Sequence, residues 1–497
     1  MSAAPVRVYN TLTRSVEPLV TQVPGEVGLY VCGMTVYDYC HIGHARAMMA
    51  FDVVVRYLRH RGWKVRFVRN HTDVDDKIIA RAAKDGVDPL ELSERFIREL
   101  EADLDSLGLI RPDIEPRVSR HIDDVTALIA SLVARGNAYL ADNGDVYFAV
   151  ETFAAYGKLS GKILDDLRAG ERVAVEGAKR NPADFALWKA WSGEAAEPRW
   201  PSPWGDGRPG WHIECSAMAR HHLGDTFDIH GGGIDLVFPH HENEIAQSEC
   251  GTGHAPYARV WMHNGHLTLD SEKMSKSLGN IVRIRDIVGQ VPAEALRLLY
   301  LDAHYRAPLP FSTERLVAAL SALDRLYTAK ETAQEVALAG ADTVVTALSL
   351  DGQEAATLAE AFPSVFHAAM DDDFDTHTAL AALLDVVRVF NRFANDKKQR
   401  ARGRRVAALV VSAFELAADA LGIGAMRPAD FFDDVKTKRL RAEGRSVDEI
   451  DARLADRAAA RAAKDWARAD AIRVELDAMN ILVMDGAQGS TWRMRVE

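Results

Sequence analysis

The sequence is poor in cysteine, and it has neither a long hydrophobic run nor an excess of basic charge. Four cysteines among 497 residues are too few and too scattered for a disulfide framework, so we interpret them as reduced thiols or metal ligands. No stretch approaches the roughly 20 apolar residues that a membrane span requires, and the N-terminal segment lacks the pattern of a secretory signal. We therefore expect a soluble, cytoplasmic protein with no membrane partner.

Acidic residues outnumber basic ones by 72 to 60, and the resulting net charge of -12 taken alone speaks against a nucleic-acid partner. The distribution is uneven, however. Residues 436–473 hold eleven Lys and Arg against seven Asp and Glu, which favours contact with RNA. Six basic residues also fall within 397–405, and this segment is interpreted equally well as a solvated loop or as a phosphate-contacting one.

The pattern near the start of the chain predicts a nucleotide-binding α/β fold. A buried strand at Gly28–Cys32, a helix from about Gly43 that Gly62 ends, and a strand at Lys64–Arg69 make a βαβ unit with parallel strands. The ligand site of such a unit lies in the loop between its first strand and its helix.

Later segments predict an insertion, a second half of the same fold, and a helical remainder. From Ala293 onward, apolar spacing predicts amphipathic helices almost without interruption. The second half is predicted to contain a strand, a Gly-rich turn, a helix and a strand, at Thr226–His230, Gly231–Gly233, Pro239–Cys250 and Arg259–His263.

The loop Cys40–His44 (CHIGH) places two histidines where the first strand meets its helix. A helix N-terminus offers free amides and a partial positive charge to phosphate groups. His41 and His44 can donate hydrogen bonds to phosphate oxygens, and Gly43 allows a nucleotide to approach closely. Incidental loop histidines are the competing interpretation of the motif taken alone.

A second motif, Lys273–Ser277 (KMSKS), follows the nucleotide-type segment. Lys273 and Lys276 can hold a triphosphate and stabilise the charge of departing pyrophosphate. The two motifs in this order resemble the HIGH and KMSKS signatures of the class I aminoacyl-tRNA synthetases.

A third constellation concerns metal binding. His240 and Glu244 in FPHHENE lie four apart and share a face of a helix, so they could bind one ion. Adding the thiolates of Cys32 and Cys215 gives four ligands compatible with tetrahedral zinc. On spacing alone, two buried thiols and a surface His/Glu pair are the favoured interpretation.

The segments around these residues resemble the cysteinyl-tRNA synthetase family, from YNTLTR (9–14) to GSTWR (489–493). The distinctive ones are LYVCG (29–33), GWHIECSAM (210–218) and HGGGIDLVFPHHENE (230–244). The resemblance implies one Zn²⁺ per chain that binds the substrate thiolate, held by Cys32, Cys215, His240 and Glu244. His241 adjoins His240 and could substitute for it.

The same resemblance implies further site residues. The ATP site comprises His41, Gly43, His44 and Lys276, with Lys273 as a helper in the same loop and Mg²⁺ accompanying ATP. The cysteine pocket is lined by Thr72, Trp211, His230 and Asp235. The anticodon is read by Arg461, Trp466, Asp470 and Asp485. Each cysteine-pocket residue also has a structural interpretation, as a core or capping residue.

The implied function is ligation of L-cysteine to tRNA(Cys) with ATP, by a monomer. The fold class is α/β, with a class I Rossmann-type parallel-sheet catalytic domain, an insertion, a helical bundle and a small C-terminal domain. The expected segments are the first catalytic half at 1–120, the insertion at 121–205, the second half at 206–270, the KMSKS and stem-contact region at 271–340, the bundle at 341–428 and the anticodon-binding domain at 429–497.

Three alternatives remain at this point. A cysteine:amino-sugar ligase of mycothiol synthesis shares the signatures and the zinc, but it lacks an anticodon domain. A zinc hydrolase using HHENE would need the HExxH helix, which is missing here. A noncatalytic RNA-binding paralogue is disfavoured by the intact histidines and lysines of both signatures.

Overall fold

The computed structural model describes residues 5–162, 178–269, 272–273, 282–486 and 489–496. Its strands are β1 (Arg7–Asn10), β2 (Ser15–Pro18), β3 (Glu26–Val31), β4 (Lys64–Arg69), β5 (Ala138–Leu140), β6 (Val146–Phe148), β7 (Phe185–Ala190), β8 (Gly207–Pro209), β9 (Phe227–Gly233), β10 (Ala258–Asn264), β11 (Leu267–Leu269), β12 (Glu272–Lys273), β13 (Leu309–Phe311), β14 (Ile481–Gly486) and β15 (Gly489–Met494). Strands β10, β9, β3 and β4 form, in that order, a parallel sheet.

The helices surround this sheet and then continue beyond it. They are α1 (Ile42–His60), α2 (Asp76–Asp85), α3 (Pro89–Ser106), α4 (Ile122–Ala134), α5 (Trp211–Leu223), α6 (Glu242–Thr252), α7 (Ile284–Val288), α8 (Ala293–Leu301), α9 (Thr313–Ala339), α10 (Leu350–Met370), α11 (Thr376–Asn395), α12 (Lys397–Arg400), α13 (Arg404–Leu421), α14 (Pro428–Ala442), α15 (Val447–Ala462) and α16 (Trp466–Ala478). None of the described helices combines the length and apolar character that a membrane span needs.

The predicted βαβ unit is confirmed. Strands β3 and β4 pair in parallel, from Glu26 opposite Lys64 to Val31 opposite Arg69, and α1 connects them. The apolar residues of α1 are buried in the core against the sheet. Its chain reverses at Gly62, whose φ of 85° lies in the left-handed region that glycine adopts without strain. The loop between β3 and α1 is thereby fixed at the carboxyl edge of the sheet.

The prediction of a turn at Gly231–Gly233 is wrong, because β9 continues through all three glycines. They pair in parallel with Met262, His263 and Asn264 of β10. Close packing explains the glycines: a Cβ on Gly231 would lie 2.3 Å from the ring of Phe51, and one on Gly232 would lie 2.8 Å from the ring of His241. The absence of side chains lets α1 and His241 approach the strand.

The helix predicted at Pro239–Cys250 is confirmed, although it begins at Glu242 and ends at Thr252. A wide turn at Val237–His241 leads directly into α6, which ends before Gly253. His240 therefore lies on the turn that enters the helix, and Glu244 lies one turn further on. Both face the interior and are fully buried.

The predicted insertion contains the expected helix and short strands. Helix α4 is followed by an antiparallel sheet in the order β5, β6, β7, β8. Ile122 and Val125 of α4 share an apolar core with Ile213 and Ala217 of α5, so α4 packs directly on α5.

The C-terminal part is helical with two exceptions among the described residues. Strand β13 pairs with β11, and β14 pairs with β15 in an antiparallel hairpin that the sequence interpretation omitted. The apolar run that forms β14 is short, and periodicity does not separate such a run from a helix. The hairpin packs against α14 and α16.

Candidate active site

A cavity of about 600 Å³ opens at the carboxyl edge of the parallel sheet, where the βαβ loop lies. It brings together residues that are far apart in the sequence. Among the predicted site residues, its lining includes Cys32, His41, Gly43, His44, Trp211 and Asp235. Thr72 and His230 are instead buried outside this lining.

His41 and His44 cap the first turn of α1 with their own side chains. The Nδ1 of His41 accepts a hydrogen bond from Gly43 N at 3.1 Å, and the Nδ1 of His44 accepts from His41 N at 3.4 Å. A backbone N–H can only donate, so Nδ1 of each neutral ring carries no proton and Nε2 carries it. Each ring therefore offers an Nε2–H donor. The rings stack with centroids 3.6 Å apart.

The position of Gly43 follows from this cap. A Cβ there would lie 3.0 Å from the His41 ring, so a larger residue would push the ring out of its capping position.

A buried cluster of metal-binding side chains adjoins the cavity, and we call it the two-thiol cluster. It consists of Cys32, Cys215, His240 and Glu244, whose ligand atoms all lie within 4.8 Å of one another. The two sulfur atoms are 3.5 Å apart, which leaves both cysteines as free thiols. Cys32 Sγ lies 3.4 Å from Glu244 Oε1, and His240 Nε2 lies 3.1 Å from the same oxygen.

The cluster holds buried negative charge beside His240, whose pKa is lowered by burial but raised overall, to about 10, by Glu244 and Cys215. The hydrogen bond from Cys32 lowers the pKa of Cys215 to about 6. Burial opposes ionisation of Glu244, but His230 and His240 hold its pKa well below the ordinary value. Buried anions of this kind require a cation or a dense set of donors.

A second, overlapping arrangement is possible, and we call it the one-thiol cluster: Cys32, His230, His241 and Glu244. His241 Nε2 is buried without a hydrogen-bond partner, but it lies 4.0 Å from Glu244 Oε1. His240 is closer to that oxygen and also hydrogen-bonds Cys215. The geometry thus favours His240, the predicted ligand, over His241.

Of the predicted cysteine-pocket residues, Trp211 and Asp235 line the cavity, whereas Thr72 and His230 are buried outside its lining. Trp211 stacks on the ring of His240 with centroids 4.4 Å apart, and Asp235 lies in the short turn Ile234–Leu236 after β9. His230 Nε2 lies 2.9 Å from Glu244 Oε2. The hydroxyl of Thr72 accepts a hydrogen bond from Asn70 at 3.3 Å.

Two side chains that the sequence interpretation missed support the site. His212 Nδ1 lies 3.0 Å from His240 Nδ1, so it holds the ring nitrogen that faces away from the cluster. Its position three residues before Cys215 on α5 was the available signal. Arg46 is buried and donates to Gly265 O at 3.3 Å and Ala307 O at 2.6 Å, which ties α1 to the opposite wall of the cavity.

The second signature lies partly outside the described residues. Lys273 belongs to β12, where its backbone pairs with Thr268, and Met274–Asn280, including Lys276, lie outside the described residues. The described chain that follows them contacts the first signature. Ile42 N donates to Val282 O at 3.0 Å, and His41 and Arg283 form a backbone bridge. Residues 282 and 283, which follow the second signature in the sequence, therefore lie beside the first.

At the C-terminus, Arg461 and Asp485 form an ion pair of 2.8 Å. Arg457, which was not predicted, also binds both carboxylate oxygens of Asp485 and lowers the pKa of that group. Trp466 begins α16 and is 58% exposed, and Asp470 is exposed on the same helix.

Comparison with known proteins gives three family matches in the order of the chain. The tRNA synthetases class I (C) catalytic domain matches residues 18–321, the DALR domain matches 365–424, and the cysteinyl-tRNA ligase anticodon binding domain matches 446–493.

Full-length relatives agree with these matches. A cysteine–tRNA ligase of Alkalilimnicola ehrlichii is 50% identical over 98% of this chain and 99% of the relative. One of Geobacter sulfurreducens is 49% identical over 99% and 100%, respectively. The fold is similar to that of a solved Mycobacterium tuberculosis methionyl-tRNA synthetase in complex with methionyl-adenylate, with a TM-score of 0.63 at 16% identity over 82% of this chain and 93% of that one.

Proposed function

The chain belongs to the cysteinyl-tRNA synthetase family and is a cysteine–tRNA ligase, and we propose that a Zn²⁺ ion held by the two-thiol cluster selects its amino acid. Its substrates are ATP, cysteine and tRNA. One observation carries the proposal: two thiols, an imidazole and a carboxylate converge beside the cavity that the first signature lines.

The donor set fits zinc. Zinc accepts sulfur, imidazole nitrogen and carboxylate oxygen, and four such ligands suit its tetrahedral preference. His212 supports His240 from behind, as orienting partners do in metal sites. When bound, the ion would take the substrate's sulfur as a fifth ligand by expanding its coordination, a preference that the hydroxyl of serine cannot satisfy. A separate editing site is then unnecessary.

We assign the first signature to the activation step. The cysteine carboxylate attacks the α-phosphorus of ATP, which forms cysteinyl-adenylate and releases pyrophosphate. His41 and His44 line the cavity, and backbone donors occupy their Nδ1 atoms, so each ring carries its proton on Nε2, from which it can donate to a phosphate oxygen. Donors that are fixed before the reaction stabilise developing charge without reorganising.

Other residues have positioning roles in this proposal. Asp235 at the cavity wall is suited to the substrate ammonium, and Trp211 closes the wall above His240. Lys273 and Lys276 hold the triphosphate together with Mg²⁺ and stabilise the departing pyrophosphate. Thr72 and His230 support the pocket from its buried side.

The second step transfers cysteine to tRNA. The terminal ribose hydroxyl attacks the carbonyl carbon of the adenylate, and AMP leaves. We propose that Trp466 stacks on an unpaired anticodon base, since its ring is exposed. Arg461, Asp470 and Asp485 lie in the matched anticodon-binding region, where Arg461 and Asp485 are already paired. The match of this region argues against a cysteine:amino-sugar ligase.

The test is amino-acid selection with and without metal. The intact protein should exchange pyrophosphate into ATP with cysteine and not with serine. After chelator treatment, cysteine-dependent exchange should be lost, and one equivalent of Zn²⁺ should restore it. Unchanged selection of cysteine in protein that holds no metal would refute the zinc assignment.

A further inference from the structure

Three histidines outside the active site meet where α4 begins and α5 ends. His121 precedes α4, and His221 and His222 lie in the last turn of α5, about 100 positions away. One nitrogen from each ring lies within 4.8 Å of the others. His121 Nε2 and His222 Nε2 are 3.1 Å apart.

The hydrogen bonds fix the tautomers of two of these rings. His121 Nδ1 lies 2.8 Å from the carbonyl oxygen of Arg117, which can only accept, so Nδ1 carries the proton. His221 Nδ1 lies 3.0 Å from a carboxylate oxygen of Asp124, with the same consequence. The Nε2 atoms of both neutral rings therefore keep their lone pairs. Ligating histidines in metal sites are held in this way, by a carbonyl or carboxylate on the other nitrogen.

The third ring completes the set. Because His121 Nε2 has a lone pair, His222 Nε2 donates its proton to it in the absence of an ion. The separation of 3.1 Å is close to the distance of about 3.3 Å between two nitrogens on one tetrahedral ion with bonds of about 2.0–2.1 Å. If an ion replaced the shared proton, His222 would have to carry its own proton on Nδ1 instead of Nε2. The rings themselves would need to move little.

Charges of both signs surround the three rings. The C-terminal end of α5 carries the negative end of the helix dipole, and Asp124 adds a carboxylate. Arg66 is the opposing charge near His222. The two helices share an apolar core through Val125 and Ala217, so the imidazoles are held in place by packing rather than assembled by the ion.

We propose that His121, His221 and His222 form a second metal site, for a divalent ion that prefers imidazole, such as Zn²⁺, Ni²⁺ or Co²⁺. The site differs from the two-thiol cluster in having no sulfur ligand. His221 lies six residues after Cys215 on α5, about 9 Å along the helix axis. An ion here would join the insertion to the helix that carries Cys215. Because His221 is exposed, this ion would exchange readily with solution.

Cobalt binding to the metal-depleted full-length protein tests the proposal. Co²⁺ bound by thiolates gives an intense sulfur-to-metal charge-transfer absorption, whereas Co²⁺ bound by imidazoles does not. We expect one bound equivalent that produces this absorption and a further one that does not. The double variant His121→Ala/His222→Ala should lose only the second equivalent, and cysteine-dependent pyrophosphate exchange should be unchanged.

A matched control removes the same number of imidazoles elsewhere. His254 and His377 are exposed and lie outside the cluster, so His254→Ala/His377→Ala should bind cobalt like the unaltered protein. If the cluster variant binds as much cobalt as this control, the proposal is wrong. Should the double variant not fold, His221→Ala removes only an exposed ring and should weaken the second equivalent by at least about tenfold. Unaltered affinity in that variant would equally overturn the site.

Discussion

Cys32 and Cys215 are separated by 183 positions in the sequence, and their sulfur atoms lie 3.5 Å apart. One follows the first strand of the parallel sheet, and the other lies on the helix that opens the second half of the fold. The pair therefore exists only when both halves are assembled, so substrate selection depends on the folded catalytic core as a whole.

The first prediction concerns this pair. Cys215→Ser should lower zinc affinity by at least about 100-fold, because loss of a ligand exceeds the effect of losing a supporting residue. Cysteine activation should fall with it. Cys250→Ser is the matched control, since Cys250 lies on α6 outside both candidate clusters and should keep metal and activity. Equal zinc content in the two variants would contradict the assignment.

His212 should act on the metal without touching it. His212→Ala removes the partner of His240 Nδ1 and should weaken zinc binding about 10- to 100-fold in competition with a chelator. His212→Asn keeps a carbonyl acceptor and should recover part of the loss. If both variants bind zinc like the unaltered protein, the Nδ1 contact has no positioning role.

His41 has two functions that substitution can separate. Asparagine is a preferred N-cap, so His41→Asn should keep the cap of α1 and lose only the Nε2–H donor. We expect kcat for pyrophosphate exchange to fall about 100- to 1,000-fold. His41→Ala should lose the same activity and, in addition, about 1 kcal/mol of stability in denaturant unfolding. Normal kcat in the asparagine variant would exclude the proposed donor.

His71 should make the protein sensitive to acid. Burial, reinforced by the charges of Arg69, Arg117 and Arg111, lowers the pKa of His71 to about 3, whereas the unfolded chain titrates near 6.5. Between these values the unfolded state binds the extra proton, so stability falls as pH falls, by about 1.4 kcal/mol per pH unit. Glu115 Oε1 lies 3.8 Å from His71 Nε2 and favours the protonated ring, which offsets part of this loss of stability.

The measurement is the unfolding free energy against pH. His71→Asn should flatten the curve between about pH 6 and pH 4 relative to the unaltered protein. His254→Asn, which removes an exposed imidazole, should leave the slope unchanged. Parallel curves for all three proteins would show that His71 titrates normally.

Trp466 should affect tRNA and not amino-acid activation. Loss of one base-stacking contact costs about 1–3 kcal/mol, so Trp466→Ala should raise KM for tRNA about 5- to 150-fold. Pyrophosphate exchange should not change. Val474→Ala, an exposed residue on the same helix, should leave both activities intact. A normal KM for tRNA in the tryptophan variant would remove this residue from anticodon recognition.

Local patterns predicted the parts of the fold that depend on neighbouring residues. The βαβ unit and the i,i+4 relation of His240 and Glu244 follow from periodicity and spacing. The meeting of Cys32 with Cys215 follows from resemblance to a family, since spacing alone left it open. Gly231–Gly233 misled the prediction because glycine in a strand signals close packing as well as a turn.

Contacts between distant segments could not be predicted, although the spacing of His212 and Cys215 places both on one face of α5. His212 on α5 pairs with His240 on the turn before α6, and His121 meets His222 because α4 packs on α5. No local spacing encodes either contact. The same applies to the backbone bridge that joins His41, in the first signature, to Arg283, which lies beyond the second signature in the sequence.

X-ray absorption at the zinc edge tests the central claim most directly. With one equivalent of Zn²⁺, the protein should show two sulfur ligands, and addition of cysteine, but not serine, should add another. A single protein sulfur would favour the one-thiol cluster. An ion whose sulfur coordination does not respond to cysteine would contradict selection by metal.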